Sequence, residues 1–231
     1  IALALLKSKP NQAFRAASSA LESAKRSLQA QVPLFFVLQA LAAESINDRL
    51  TAWESISKAL QIWEQEPRWH SLAAEMTSDY DKKVACYKRA IDLEPAYIGH
   101  YLALGKEHMN AKQALSAVKA FEKALEINPE NVDSWIQRAL GKRALYKMPD
   151  ALESIKQALT LAPEHKEARK TAALLAFENG SYRESERHLV SLLGQEPHDT
   201  ELLALFARTL TAQKQKDEAM RVIDKAISLE D

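Results

Sequence analysis

Glycine is scarce in this chain, with five residues in 231. That scarcity argues against a glycine-rich β architecture, and no GxGxxG, GxxxxGK or GxSxG loop is present to cradle a phosphate or aim a nucleophile. Cysteine is scarcer still. The single thiol, Cys86, rules out an internal disulfide framework or a CxxC pair; it fits a reducing, cytoplasmic compartment and reads as a small buried hydrophobe. Long apolar runs are missing as well. IALALL at 1–6 and PLFFVLQALAA at 33–43 fall far short of the ~20 residues that cross a bilayer, so no membrane insertion is expected. Net charge is absent: 31 Lys and Arg balance 31 Asp and Glu, and nothing global points to nucleic acid as a partner. The bases of the first thirty residues (Lys7, Lys9, Arg15, Lys25, Arg26) are spread out as on a solvated helix face.

Reactive residues do not converge. The six histidines (70, 100, 108, 165, 188 and 198) include no pair at helical ligand spacing, and His100 and His108 stand two turns apart. They read as ordinary surface or partly buried histidines. Glu184 and Glu186 lie among bases in YRESER, the pattern of a solvated helix. The expectation is a protein without metal, cofactor or catalysis in this segment.

What the chain does have is helix-forming composition and a repeat. It is 47% hydrophobic and 27% charged, enough for a packed core, and alanine, leucine, lysine and glutamate favour helices, so an all-α fold is expected. YKRAIDLEPA at 87–96 returns as FEKALEINPE at 121–130 and IKQALTLAPE at 155–164. Pro95, Pro129, Pro163 and Pro197 are 34 residues apart, and Ala90, Ala124, Ala158, Leu192 and Ala226 keep the same interval. Upstream the period loosens, with Ala59 lying 31 residues before Ala90. Within 98–131, Tyr101, Leu104, Leu115, Val118, Phe121 and Leu125 recur at helical spacing around a break near 110–112. Each unit therefore reads as two antiparallel helices. Proline ends the second helix, and Gly180 in ENGSYRES can take a left-handed cap.

Tyr101, Leu104, Gly105, His108, Ala117, Phe121, Ala124 and Pro129 together resemble the tetratricopeptide repeat. Trp135, Ala139, Ala151, Ile155, Ala158 and Pro163 continue the resemblance, as do Ala173, Leu189 and Pro197 and then Leu203, Ala207, Ala219, Ile223 and Ala226. The resemblance implies a right-handed α-solenoid of about seven antiparallel helix pairs. One domain over 1–231 is expected, with a degenerate pair at 1–32 and repeats at 33–64, 65–97, 98–131, 132–165, 166–199 and 200–231. The 65–97 unit is shortened by a clipped turn near Asp79. The sequence opens at Ile1 and stops where the repeat would place its next proline, so a segment of a longer protein is expected.

Small residues belong where helices must close to about 8–10 Å, which explains Gly105, Ala117, Ala124, Ala139, Ala151 and Ala158. Phe121, Ile155, Leu189 and Ile223 should fill the spaces between pairs. Lys214, Lys216, Asp217, Glu218, Arg221 and Lys225 would give the last helix a polar outer face.

The resemblance also implies a concave groove lined by first helices. Carried over by register, its positions are Leu34, Val37 and Leu41; Leu102, Lys106 and Met109; Ile136, Leu140 and Arg143, with Asp133; Lys170, Leu174 and Phe177, with Glu167; and Arg208, with Glu201 and Ala204. Such a lining could receive a peptide or helix of another protein, its bases meeting acidic partner residues. The alternative is that the superhelix or a neighbouring copy covers it. A clamp for a C-terminal carboxylate is not expected, since Leu102, Ile136, Leu140 and Leu174 stand where it needs polar side chains. Homodimer formation through the apolar N-terminal end stays open, as does a role as the accessory array of a larger enzyme.

Overall fold

The computed structural model describes residues 33–229 and, ahead of them, only Arg15, Ser18 and Ser19; the pair expected at 1–32 lies outside the described residues. Those residues form twelve helices and no strand. They are α1 (Pro33–Ser45), α2 (Arg49–Ile62), α3 (Pro67–Glu75), α4 (Tyr80–Leu93), α5 (Ile98–Asn110) and α6 (Ala114–Ile127). The series continues with α7 (Val132–Ala144), α8 (Met148–Leu161), α9 (Lys166–Glu178), α10 (Tyr182–Gln195), α11 (Thr200–Ala212) and α12 (Lys216–Ile227). The fold is all-α, as expected, and within each unit neighbouring helices pack against one another.

Two local devices set the period. At the middle of each three-residue turn inside a pair, Asn47, Lys112, Tyr146, Gly180 and Lys214 have φ between 59° and 80°. This left-handed step lets the next amide reach back five residues in a Schellman pattern, as in Gln113 N to His108 O at 2.8 Å and Lys147 N to Lys142 O at 2.9 Å. Between pairs, the proline of the recurring phrase stops the second helix, and its carbonyl is then taken by the next first helix. Tyr101 Oη donates to Pro95 O (3.1 Å), Trp135 Nε1 to Pro129 O (2.8 Å) and Arg169 Nε to Pro163 O (2.7 Å). Asn131 and Asp199 cap their helices by accepting from Ser134 N (2.7 Å) and Leu202 N (3.0 Å). The shortening expected near Asp79 falls in the helix and not in the turn: α3 has nine residues where its counterparts have 13, the turn at 76–79 is one residue longer than the three-residue turns elsewhere, and Asp79 caps α4 at Lys82 N.

Contacts divide the chain into two compact units, Ile1–Glu107 and His108–Asp231, where the sequence reading expects one domain. In the first, α1 packs on α2, α2 on α3 and α3 on α4, and Ala74, Tyr87 and Leu104 form a cluster that joins α3, α4 and α5. In the second, α7 packs on α6 and α8, α9 on α8 and α10, and α11 on α10 and α12. The first helices α7, α9 and α11 also touch in series and form one layer.

The small positions behave as the packing requires: Ala117, Ala124, Ala139, Ala151 and Ala158 have no exposed surface. Gly141 belongs with them, since a Cβ there would lie 2.6 Å from Val118 Cγ2. Phe121, Ile155 and Leu189 are buried as expected, but Ile223, four repeats along from Tyr87, is 39% exposed. With Met220 and Ile227 it forms an uncovered apolar stripe on α12, so the polar outer face expected there is only part of that surface. The reason is that no described helix lies beyond α12 to cover positions that the next first helix covers elsewhere.

Candidate functional site

Two recesses open on first helices, one in each unit. In the second unit Leu140 of α7, Thr171 and Leu174 of α9, and Leu202 and Leu205 of α11 surround a hollow of about 200 Å³, with Glu167, Lys170 and Glu201 at its edge. Helical spacing produces this arrangement. Leu140 and Leu174 are one repeat apart, so the contact of α7 with α9 puts them side by side, each half-buried.

The bases expected around this hollow are already engaged. Arg143 places Nε and Nη2 on the two carboxylate oxygens of Glu178 at 2.6 and 2.5 Å, and this pairing holds its pKa above the usual guanidinium value. Lys170 Nζ donates to Asp199 Oδ2 at 2.9 Å, which raises the lysine pKa; burial opposes ionisation of Asp199, but Lys170 and the Leu202 amide hold it below the ordinary carboxylate range. Arg208, exposed, lies 4.7 Å from the centre of the Phe177 ring, which leans on Tyr182. These pairs brace α7, α9 and α11 against one another. That corrects the expectation that Arg143 and Lys170 are free to meet a partner's acids.

Of the remaining expected lining residues, Met109 in the second unit is half-buried. Ile136 is a correction: at 1% exposure it packs inward on Ala139, Ala151 and Ile155. In the first unit Leu34 is 52% exposed and Lys106 exposed, while Leu41 and Leu102 are half-buried. Val37 is a second correction. It is buried with Ala40, Ala52 and Ile56. The repeat register does not by itself account for either, since the same position is half-buried at Leu102 and exposed at Ala204; each is buried by the cluster around it.

The recess of the first unit escaped the sequence reading. It measures about 300 Å³ and is lined by Arg68, Ser71 and Glu75 of α3, Tyr87 of α4, and Tyr97 and His100 at the start of α5, among others. His100 is 2% exposed; its Nδ1 is 2.8 Å from Ser71 Oγ, its Nε2 is 3.4 Å from Glu94 Oε2, and Tyr97 meets it edge-on at 4.7 Å. Burial pushes the imidazole pKa down, against the pull of Glu94. Serine, imidazole and carboxylate thus meet as in a hydrolytic triad. The Ser71–His100 contact ties α3 to α5. His70 and His108 are also buried, and His70 Nε2 bonds Glu64 O at 2.7 Å.

A further recess of about 490 Å³ opens between α8 and α10 over Ala172 and Ala176, where Glu184 and the half-buried His188 stand. Among the described residues no cluster of three His, Cys, Asp or Glu could hold a metal, and no helix is long and apolar enough to cross a membrane.

Sequence models described as tetratricopeptide repeat match residues 176–230 and 101–131. The human protein O-mannosyl-transferase TMTC3 is 29% identical over 148 residues, which are 62% of this chain and 16% of that protein. This chain thus spans about a sixth of the length of that relative. A tetratricopeptide repeat protein of Parabacteroides merdae superposes with a TM-score of 0.73 at 19% identity, covering 85% of this chain and 79% of the other. YrrB, described as a TPR protein with an unusual peptide-binding site, gives 0.60 at 22% identity, covering 77% and 93%. At these identities the two structures bear on the fold alone.

Proposed function

Because the chain belongs to the tetratricopeptide repeat family, we propose that it is a non-catalytic scaffold that holds a segment of another protein along the first helices of its repeats. Repeats of this family are generally protein-interaction scaffolds. The observation that carries the reading here is the hollow of α7, α9 and α11, where Leu140, Leu174 and Leu205 from three successive repeats stand half-buried around one space. Apolar side chains gathered in a recess favour contact with a partner. The size supports a peptide side chain as occupant: about 200 Å³ lies below the roughly 300–1,000 Å³ typical of small-molecule pockets. The described peptide binding of YrrB supports the same reading by analogy of fold. Balanced charge favours protein over nucleic acid, and the lone Cys86 suits a cytoplasmic setting.

A peptide array probed with the wild type and with Leu140→Glu plus Leu174→Glu tests this, circular dichroism confirming that both are folded. Loss of the bound peptides in the folded variant is expected. Retention would move the binding surface elsewhere, with the α8–α10 recess the first alternative.

A second reading is an accessory array within a larger enzyme. It is favoured by the O-mannosyl-transferase relative, of which this chain matches only 16%. Transfer activity of the full-length protein with and without residues 33–229 separates the two roles: abolished chemistry would place the array in the enzyme's working machinery, and retained chemistry would leave it a docking element.

A further inference from the structure

Resting on the reading of the α7–α9–α11 hollow as a peptide seat, we propose that its ligand carries an apolar anchor side chain flanked by lysine or arginine. The lining looks basic in sequence, yet each base near the hollow already has a partner in the fold. Arg143 is held on both oxygens of Glu178, Lys170 bonds Asp199, and Arg208 lies over Phe177. What remains is acidic. Glu167 and Glu201 line the hollow, are exposed, and hold no ion pair among the described residues. Asp133 occupies the same place one repeat earlier, exposed, with His165 Nε2 at 4.0 Å.

Asp133, Glu167 and Glu201 fall 34 residues apart, each in the first turn of its helix, so they form a ladder along one edge of the first-helix layer. An acid at a helix N-terminus is ordinarily explained by the dipole, which it stabilises by about 0.3–1 kcal/mol. That accounts for a carboxylate in each first turn. It does not account for Arg143 and Lys170 being paired with Glu178 and Asp199, a pairing that leaves the three carboxylates with Arg208 alone to offset them and the edge net negative. A bound segment would seat a leucine-sized side chain against Leu140, Leu174 and Leu205 and place its own cations beside Glu167 and Glu201. An acidic-flanked segment would meet those carboxylates with Arg208, stacked on Phe177, as the one base not held by a carboxylate, and like charges set against one another select against a wrong partner.

Two dye-labelled peptide pools decide it, each with a central leucine and random neighbours, one flanked by lysine and the other by glutamate. Fluorescence anisotropy against the full 231-residue chain should show the lysine pool binding about ten-fold tighter at low salt. The difference should shrink as ionic strength rises from about 0.05 to about 0.5 M, because rim charges are screened. Glu167→Gln plus Glu201→Gln should abolish the preference, and Glu167→Lys plus Glu201→Lys should reverse it. Tighter binding of the glutamate pool, or a preference untouched by the glutamine variant, overturns the inference and leaves the seat intact. If neither pool binds, or if binding survives Leu140→Glu plus Leu174→Glu in a folded protein, the seat itself is wrong.

Discussion

The two units use one packing scheme and present different chemistry on their first helices. Tyr87 in the first unit and Phe121 in the second stand at the same repeat position, 4% and 0% exposed, and the small partners Ala90 and Ala124 have no exposed surface. Their recesses share nothing comparable. One has Arg68, Ser71 and Tyr97 over an enclosed His100; the other has leucines with an acidic edge. Core positions are constrained by the approach of neighbouring helices, whereas open positions face no such limit and can diverge. The shared scheme therefore identifies the fold, and the recesses must identify the partner.

The sharpest check on the shared core is truncation at that common position. Tyr87→Ala and Phe121→Ala should each cost about 3–5 kcal/mol, and Ile223→Ala, uncovered on α12, about 1 kcal/mol. Denaturant unfolding measures all three. A Tyr87 variant no worse than the Ile223 variant would break the comparison, since it would mean that the first unit does not depend on this position.

Glycine separates two causes of conservatism within the second unit. Gly141→Ala should cost about 1–3 kcal/mol through overpacking, because the added carbon meets Val118 at 2.6 Å. Shortening the neighbour in Gly141→Ala plus Val118→Ala should recover part of that loss. A double variant less stable than both single ones would show that backbone conformation, and not the close approach, fixes the glycine.

Acid should separate the recesses. The folded-state pKa of His100 is depressed, so below about pH 6.5 the unfolded chain takes a proton that the folded chain resists, and stability falls with pH. His188 in the second unit is depressed by burial and acts in the same direction. Asp199, also depressed, loses its contribution only at lower pH, below the ordinary carboxylate range. Hydrogen exchange at about pH 7 and about pH 5 should show weakened protection around α3 and α5, and His100→Gln should flatten that change while leaving the response near His188. Unchanged sensitivity of α3 and α5 in the glutamine variant would rule out His100 as its source.

Much of this was legible in the sequence for a specific reason. The 34-residue interval carries helix length, turn and link together, so helices and small contacts follow from spacing, and the 31-residue step shows that the 65–97 unit is short without showing that α3 is the part shortened. The hollow was partly legible, since Leu140, Lys170 and Leu174 share a register and meet in it. The electrostatics were not. Arg143 reaches Glu178, 35 residues on, and Lys170 reaches Asp199, 29 on, so each partner sits one repeat away at an offset the repeat itself does not specify. The first recess was hidden because His100 and Ser71 join only across two first helices, one of them shortened.

The smallest expected effect concerns the turns, where the units again share geometry and differ in residue. Lys112, Tyr146 and Lys214 adopt the left-handed conformation that Gly180 holds at φ 80°, and Asn47 does so in the first unit. A residue with a Cβ pays about 1–2 kcal/mol there, asparagine less than most, while glycine adds about 0.4–1 kcal/mol of unfolded-state entropy to be lost on folding. The difference leaves a gain of up to about 1 kcal/mol for Lys112→Gly, Tyr146→Gly or Lys214→Gly, and less for Asn47→Gly. Gly180→Ala, with nothing within 4 Å of the added carbon, isolates the conformational cost alone and should lose about 1 kcal/mol. Thermal unfolding of the four glycine variants orders them. A gain at Asn47 as large as at Tyr146 would mean that the turn of the first unit is strained for a reason other than its left-handed residue.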